Sequence, residues 1–334
     1  MAKIVRFHAL GSADVLQLDD LALAEPGEGE VRIKVEAIGL NRAEVAFREG
    51  KYLEVPTKLP STLGYEAAGV IDAIGAGVTG FQIGERISTI PAFSMTQYGV
   101  YGESAVVPAY AVARYPEKLS ASEGAAIWMQ YITAYGALVE YGQVKAQDFV
   151  LITAASSSVG YAAIQITKAA GAVAIATTRG AAKKQMLLDN GADYVIVTNE
   201  EDMTATVMEI TSGHGADLIF DPVAGSFLET LANAAAPGAT IFEYGALSPD
   251  ATTPFPLFPA LQKGLKVQGY TLFEITSNPE KLERGKQYIY NGLDSGTLKP
   301  ILDRTFSLEN IVEAHRYMES NQQSGKIIVT VEQP

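Results

Sequence analysis

The stretch Val150-Leu151-Ile152-Thr153-Ala154-Ala155-Ser156-Ser157-Ser158-Val159-Gly160 decides the fold. Its apolar start, continuous with Phe149, reads as a strand buried on both faces, as in a parallel sheet. A tight turn of small residues follows, then a helix from about Ser158 to Ala170. In the spacing G-x-G-x-x-G the three positions are Ala155, Ser157 and Gly160, and only the last is glycine. The letters alone are weak; the order strand, small turn, helix carries the reading. Backbone N–H groups at a helix N-terminus lack intrahelical partners and carry partial positive charge, so they suit a pyrophosphate. Small residues let a phosphate approach the backbone, and the hydroxyls of Ser156, Ser157 and Ser158 add donors beside Val159 and Gly160. The plainer alternative is a helix N-cap with close small-residue packing.

The next strand, Val173 to Thr177, ends in Thr178-Arg179-Gly180. A site for NAD usually has Asp or Glu about 20 residues beyond the turn, on the ribose hydroxyls. Here no acid occurs between Val173 and Lys184, Arg179 stands at that distance, and Lys183 follows one helical turn later. A carboxylate would repel a 2′-phosphate, whereas a guanidinium pairs with it in a forked geometry. NADPH is the expected cofactor, with Thr178, Arg179 and Lys183 at its phosphate; solvated surface charge is the alternative for the two cations.

Outward from this unit, strands are expected at Tyr194 to Val197, Asp217 to Phe220, Thr240 to Tyr244 and Lys266 to Tyr270, with helices between. Six strands in this alternation give a doubly wound parallel sheet. Before it, Val31-Arg32-Ile33-Lys34-Val35 alternates as a half-buried strand does, and glycines recur among Val, Ile and Phe from Gly69 to Gly84. That texture predicts a β-rich, barrel-like lobe. The pattern blurs after Tyr270, and Lys326-Ile327-Ile328-Val329-Thr330-Val331 reads as a strand returning to the first lobe. The expected fold class is α/β. A catalytic domain of residues 1–122 and 271–334 is split by a Rossmann domain of 123–270.

Composition narrows the function. The 334 residues are 48% hydrophobic, which suggests two domains, and carry a net charge of −13 with no basic block, a poor match for nucleic acid. No apolar run has the length of a membrane span, and Met1 to Gly11 lacks a signal-peptide core, so a cytoplasmic location is expected. There is no cysteine, so disulfides and thiolate zinc sites are excluded.

Gly64-Tyr65-Glu66-Ala67-Ala68-Gly69, the segment Ala154 to Gly160 with Gln165, Asp221-Pro222-Val223-Ala224-Gly225 and Gly325-Lys326-Ile327-Ile328 together resemble the medium-chain dehydrogenase/reductase superfamily, in its zinc-free quinone oxidoreductase branch. The resemblance covers essentially the whole chain. It implies a GroES-like catalytic domain wrapped around the Rossmann domain, an active site in the cleft between them, and homodimers or higher oligomers. Zinc alcohol dehydrogenases carry Cys at the position of Asn41 and His at that of Tyr65; neither residue present here is a good zinc ligand. In the zinc-free branch, residues at the positions of Asn41 and Tyr52 line the substrate pocket, and Tyr65 stands where a smaller hydroxyl residue is common. By the same matching Gln130 and Thr133 lie near the nicotinamide, and Tyr244 and Gly245 near the adjoining ribose, with Lys326 also on the cofactor side. Thr198 replaces a phosphate-contacting Tyr.

Without a metal, hydrogen-bond donors must stabilise the oxygen that gains charge as hydride arrives. A quinone or an enone delocalises that charge, so activated carbonyl acceptors are expected, with the proton from water, Tyr52 or Tyr65. For Asn41 the alternative is a turn residue; for the two tyrosines it is half-buried packing. The rival readings are a reductase of simple aldehydes or ketones and a cofactor-binding protein with little turnover. A methyltransferase is disfavoured by the basic end of the second strand.

Overall fold

The computed structural model describes residues 1–333. It divides into two units, Met1–Met129 together with the chain from Pro300 onward, and Gln130–Lys299. In the second unit six parallel strands stand in the order Tyr194–Val197, Val173–Thr178, Phe149–Ile152, Ala216–Asp221, Ala235–Glu243, Lys266–Gly269. Numbered along the chain this is 3-2-1-4-5-6, the dinucleotide-binding order, with its switch point between Phe149–Ile152 and Ala216–Asp221. Leu151, Ile175, Ile196, Ile219 and Ile241 from five of these strands join one fully buried core.

The first unit holds an antiparallel pair, Ala2–Phe7 with Leu16–Leu21, and a seven-stranded sheet in which Leu302–Ser307 and Lys326–Thr330 join Glu30–Gly39, Glu66–Ile74, Arg86–Thr89 and Val112–Arg114, while Ser104–Pro108 pairs with Glu30–Gly39. Along Glu30–Gly39, Val31, Ile33, Val35 and Ala37 are buried between less buried polar residues, the period of two expected of a sheet covered on one face. The returning strand pairs Ile328 with Gly39, Val329 with Ile38 and Thr330 with Ala37.

The unit boundaries fall at Met129 and Lys299, whereas the sequence reading drew them at 122 and 270. The difference at the second boundary has a packing cause. Leu272 and Ile275 are buried, and the Tyr135 and Tyr288 rings lie 5.2 Å apart. Helix Pro279–Ser295 therefore packs within the second unit. Between Val112–Arg114 and Phe149–Ile152 the chain runs through three successive helical segments, Ala121–Gly124, Trp128–Tyr135 and a π-helical turn Gly136–Tyr141.

Candidate active site

Helix Ser158–Ala169 starts where the sequence places it. The Ser157 hydroxyl accepts from Gly160 N–H at 3.0 Å, which leaves the N–H groups of Ser158 and Val159 at the open end. The turn before it is tight: Ala154 has φ of 44° and Ala155 N–H donates to Thr177 C=O at 3.2 Å. A Cβ on Gly160 would lie 2.4 Å from the Ala155 carbonyl oxygen, so this position admits only glycine without movement of the backbone. Arg179 is exposed at the end of the second strand, and the Lys183 ammonium reaches back to Ser156 Oγ at 3.3 Å. Thr178 is buried, and its carbonyl accepts from Thr198 N–H at 2.9 Å. The structure thus gathers Ser156 and Lys183 at one end of the sheet, with Thr178 and Arg179 at the adjoining strand end.

At the same carboxyl edge, Asp221 and Glu243 are cross-strand partners. Asp221 accepts from the Thr153 hydroxyl and from Val223 and Ala224 N–H at 3.0 and 2.6 Å. Tyr244 stacks on Phe220 at 4.0 Å and 17°. Gly245 follows it and is exposed. Gln130 and Thr133 are buried on helix Trp128–Tyr135. Among the described residues Gln130 Oε1, both Glu243 carboxyl oxygens and the Tyr244 hydroxyl are buried without a hydrogen-bond partner. Buried polar atoms are seldom left unpaired, so these groups fit a polar ligand. Together with the open helix N-terminus before Gly160, they fit a nicotinamide dinucleotide.

Burial first, and then the neighbouring Asp221 carboxyl, push Glu243 up to about 9 from 4.5. The folded state therefore holds this proton more tightly than the unfolded chain. Its contribution is full below about pH 4.5 and is lost as pH rises toward 9. Glu243→Gln is expected to flatten that decline and to gain at least about 1 kcal/mol over the parent at pH 9 relative to pH 6, the worth of roughly one pKa unit. Urea unfolding at the two pH values measures it, and an unchanged slope would refute the assignment.

The first unit holds the expected substrate-side residues. Asn41 precedes helix Arg42–Arg48, and its backbone N–H donates to Glu44 Oε2 at 2.7 Å. The Lys326 ammonium donates to Asn41 Oδ1 at 2.6 Å and to Glu66 Oε2. Asn41 Nδ2 faces Gly39 C=O, Glu44 Oε1 and Glu66 Oε2 at 3.1, 3.2 and 3.3 Å. An ammonium only donates and a carboxylate only accepts, so the amide orientation is fixed. Both amide hydrogens then face acceptors within the protein, where a donor aimed at the substrate oxygen was expected. Lys326, expected on the cofactor side, is fully buried in an ion pair with Glu66. The other Glu66 oxygen accepts from Met129 N–H at 2.8 Å, at the start of helix Trp128–Tyr135. Gly39 makes room for this arrangement, since a Cβ there would lie 2.0 Å from Ala125 C=O and 2.7 Å from Lys326 Cε.

A second buried chain ends on Glu44. Arg48 Nη1 faces His315 Nδ1 at 2.9 Å, and because a guanidinium only donates, Nδ1 accepts and Nε2 carries the hydrogen. His315 Nε2 donates to the Tyr101 hydroxyl oxygen at 3.3 Å, and that hydroxyl donates to Glu44 Oε2. Burial, and then Arg48, hold His315 down at about 3, so it is neutral. Burial pushes the Glu44 carboxyl upward against the hydrogen bonds it accepts.

Tyr65 is fully buried and donates to Glu54 Oε1 at 3.0 Å. Tyr52 keeps part of its surface exposed and neighbours Tyr65; burial pushes its phenol up to about 12. Neither Glu44, Glu54, Glu66 nor Glu243 was singled out from the sequence. The one available signal was Glu66 inside the Gly64-to-Gly69 motif. Among the described residues no group of three or more His, Asp or Glu side chains is arranged to hold a metal ion.

Residues 27–154 match the alcohol dehydrogenase GroES-like domain, and residues 158–286 match the zinc-binding dehydrogenase family. A quinone oxidoreductase of Homo sapiens is 32% identical over 331 residues, covering 98% of both chains. One from Pseudomonas aeruginosa is 29% identical over 330 residues, covering 98% of this chain and 99% of the other. The solved structure of Escherichia coli quinone oxidoreductase complexed with NADPH superposes with a TM-score of 0.90 at 29% identity, covering 98% of this chain and all (100%) of that one.

Proposed function

The chain belongs to the zinc-free quinone oxidoreductase branch of the medium-chain dehydrogenase/reductase superfamily, and from that membership we infer an oxidoreductase that passes hydride from NADPH to a quinone or an α,β-unsaturated carbonyl. Whole-length similarity to an NADPH-bound quinone oxidoreductase carries this reading. When bound, NADPH supplies the hydride. The chain's own residues do the rest. The N–H groups opening helix Ser158–Ala169 face the pyrophosphate, and Arg179 with Lys183 pairs with the 2′-phosphate. Gln130, Thr133 and Tyr244 line the nicotinamide half. On the substrate side Tyr52 supplies the phenol beside the acceptor with the buried Tyr65 as its neighbour, while Asn41 holds the pocket wall through its bonds to Lys326, Glu44 and Glu66.

The acceptor class follows from the weakness of such neutral donors. A saturated ketone would concentrate the new charge on one oxygen, whereas a quinone or an enone spreads it into a phenolate or enolate. Steady-state oxidation of NADPH against quinones, enones and saturated carbonyls of similar size tests this; equal rates on the saturated set would transfer the protein to the simple carbonyl reductases, and no turnover on any would leave a binding protein. Cofactor choice is tested separately. NADPH is expected to bind about ten- to a hundredfold more tightly than NADH, because a charge-assisted contact contributes roughly 1.5–3 kcal/mol. Arg179→Asp should remove that preference in a fluorescence titration; a variant that keeps it would remove Arg179 from the site.

We also propose a homo-oligomer, a dimer at least. Phe255, Leu257, Phe258 and Leu261 are 52–81% exposed just before the edge strand Lys266–Gly269, and such a patch is unusual on a monomer. Among the described residues no helix is long and apolar enough to cross a membrane. A cytoplasmic location belongs to the same proposal.

A further inference from the structure

Glu54 lies two residues after Tyr52, on the loop that precedes Gly64-Tyr65. Its carboxylate accepts three hydrogen bonds. Oε1 takes the Tyr65 hydroxyl at 3.0 Å and Met95 N–H at 2.7 Å, and Oε2 takes the Ser94 hydroxyl. Held from both oxygens, it cannot swing away from Tyr65 without breaking its bonds to the Ser94–Met95 segment.

We propose that Glu54 is a positioning residue that decides which phenol protonates the reduced acceptor: it takes the hydrogen of Tyr65 and so leaves Tyr52 as the donor. The inference rests on the reductase reading above. A phenol has one hydrogen, and a carboxylate can only accept. With its hydrogen on Glu54, Tyr65 offers only lone pairs, and any bond within the phenol pair runs from the Tyr52 hydroxyl to the Tyr65 oxygen. Exposure agrees. Tyr65 has none, whereas Tyr52 keeps accessible surface that a ligand can touch. Burial keeps the Tyr52 phenol protonated far above neutral pH, so its hydrogen is present when needed.

The step balances. Two electrons and one hydrogen reach the acceptor carbon as hydride, with NADPH oxidised to NADP⁺. The negative charge arrives on the acceptor oxygen. The Tyr52 O–H bond breaks as the acceptor O–H bond forms, and the Tyr52 oxygen regains its proton from water.

The test is an epistasis measurement with an independent spectroscopic arm. Tyr52→Phe should lower kcat by about a hundredfold, the low end of general-acid contributions. In that background Glu54→Ala frees the Tyr65 hydrogen, which a water in the space left by the Tyr52 hydroxyl relays to the acceptor, and should restore about fivefold or more of the lost kcat. NADPH affinity should stay within twofold of the parent in all variants, which reports that the fold is intact. A double variant that is additive or worse, with NADPH affinity retained, would overturn the proposal. Because Glu54→Ala also releases Ser94 and Met95, Glu54→Gln is examined in protein labelled with ¹³C at the tyrosine Cζ and free of substrate. The Tyr65 signal, identified by its loss in Tyr65→Phe, should move upfield once the carboxylate is gone. An unmoved signal would overturn the proposal whatever the kinetics. If the parent reduces no acceptor, the reductase reading fails by itself, and the carbon signal still decides whether Glu54 holds the Tyr65 hydrogen.

Discussion

Lys326→Met is expected to lower the unfolding free energy by about 3–5 kcal/mol, the cost of removing one partner of a buried ion pair. The Lys326 ammonium and the Glu66 carboxylate are both essentially without solvent exposure. Deleting the cation strands Glu66 beside Asn41 and next to Glu44, a second carboxyl that burial already pushes toward its neutral form. Lys326→Met keeps most of the volume, so the loss reports charge rather than a cavity. Replacing both partners, as in Lys326→Met with Glu66→Leu, should cost less than the single change, because no charge is then left unpaired. Urea unfolding followed by tryptophan fluorescence suits this, since the single Trp128 is buried in the same unit and donates to Ser88 Oγ at 2.8 Å. A loss under about 1 kcal/mol would mean that water or a neighbour takes the place of the ammonium.

Gly160→Ala should reduce NADPH affinity by about 30- to 150-fold, equivalent to losing one charge-assisted hydrogen bond of roughly 2–3 kcal/mol. The added carbon would meet the oxygen, the carbonyl carbon and the Cα of Ala155 at 2.4, 2.6 and 2.6 Å, all of them backbone. No side chain can turn aside, so the helix start must move away from the turn, and with it the N–H groups meant for the pyrophosphate. Overpacking of this kind also costs about 1–3 kcal/mol of stability. Titration with NADPH and with 2′-phospho-AMP separates the parts: affinity for the fragment, which lacks the pyrophosphate, should fall far less. Equal losses would place the damage in the 2′-phosphate end.

The doubly wound sheet was legible because its information is local. Phe149–Ile152 is apolar without interruption, and Ser157 caps the helix three residues before Gly160. The alternation of strands and helices gave the parallel, doubly wound type, whereas the strand order came from the structure. Helix Pro279–Ser295 was missed although its buried residues Gly285, Ile289 and Leu293 recur every fourth position, the spacing of one helix face; they are few among many charged and polar neighbours. Its ends were nevertheless written plainly, with Asn278 and Pro279 at the start and Gly296 in the left-handed region at the stop. The substrate side was legible in residue identity and not in direction. Asn41 could be singled out, but the partners that turn its amide inward, Glu66 and Lys326, lie 25 and 285 positions away. Glu54 and Glu243 gave no signal, since an isolated acid in a loop or at a strand end looks like a solvated charge until the neighbouring chain is in place.

The first unit is closed by a strand made after every other described one. Lys326–Thr330 pairs with Glu30–Gly39, and Lys326 is the counter-ion of Glu66. During synthesis everything from Gln130 to Lys299 leaves the ribosome before that strand does, so the second unit can complete its sheet while the first still has an open edge and an unpaired acid in its interior. A nascent or prematurely terminated chain therefore carries a finished nucleotide-binding half beside an unfinished one, a form whose exposed edge invites chaperones and proteases. The buried ammonium acts as a late seal, admitting the first half to the native state only once Lys326–Thr330 has been made.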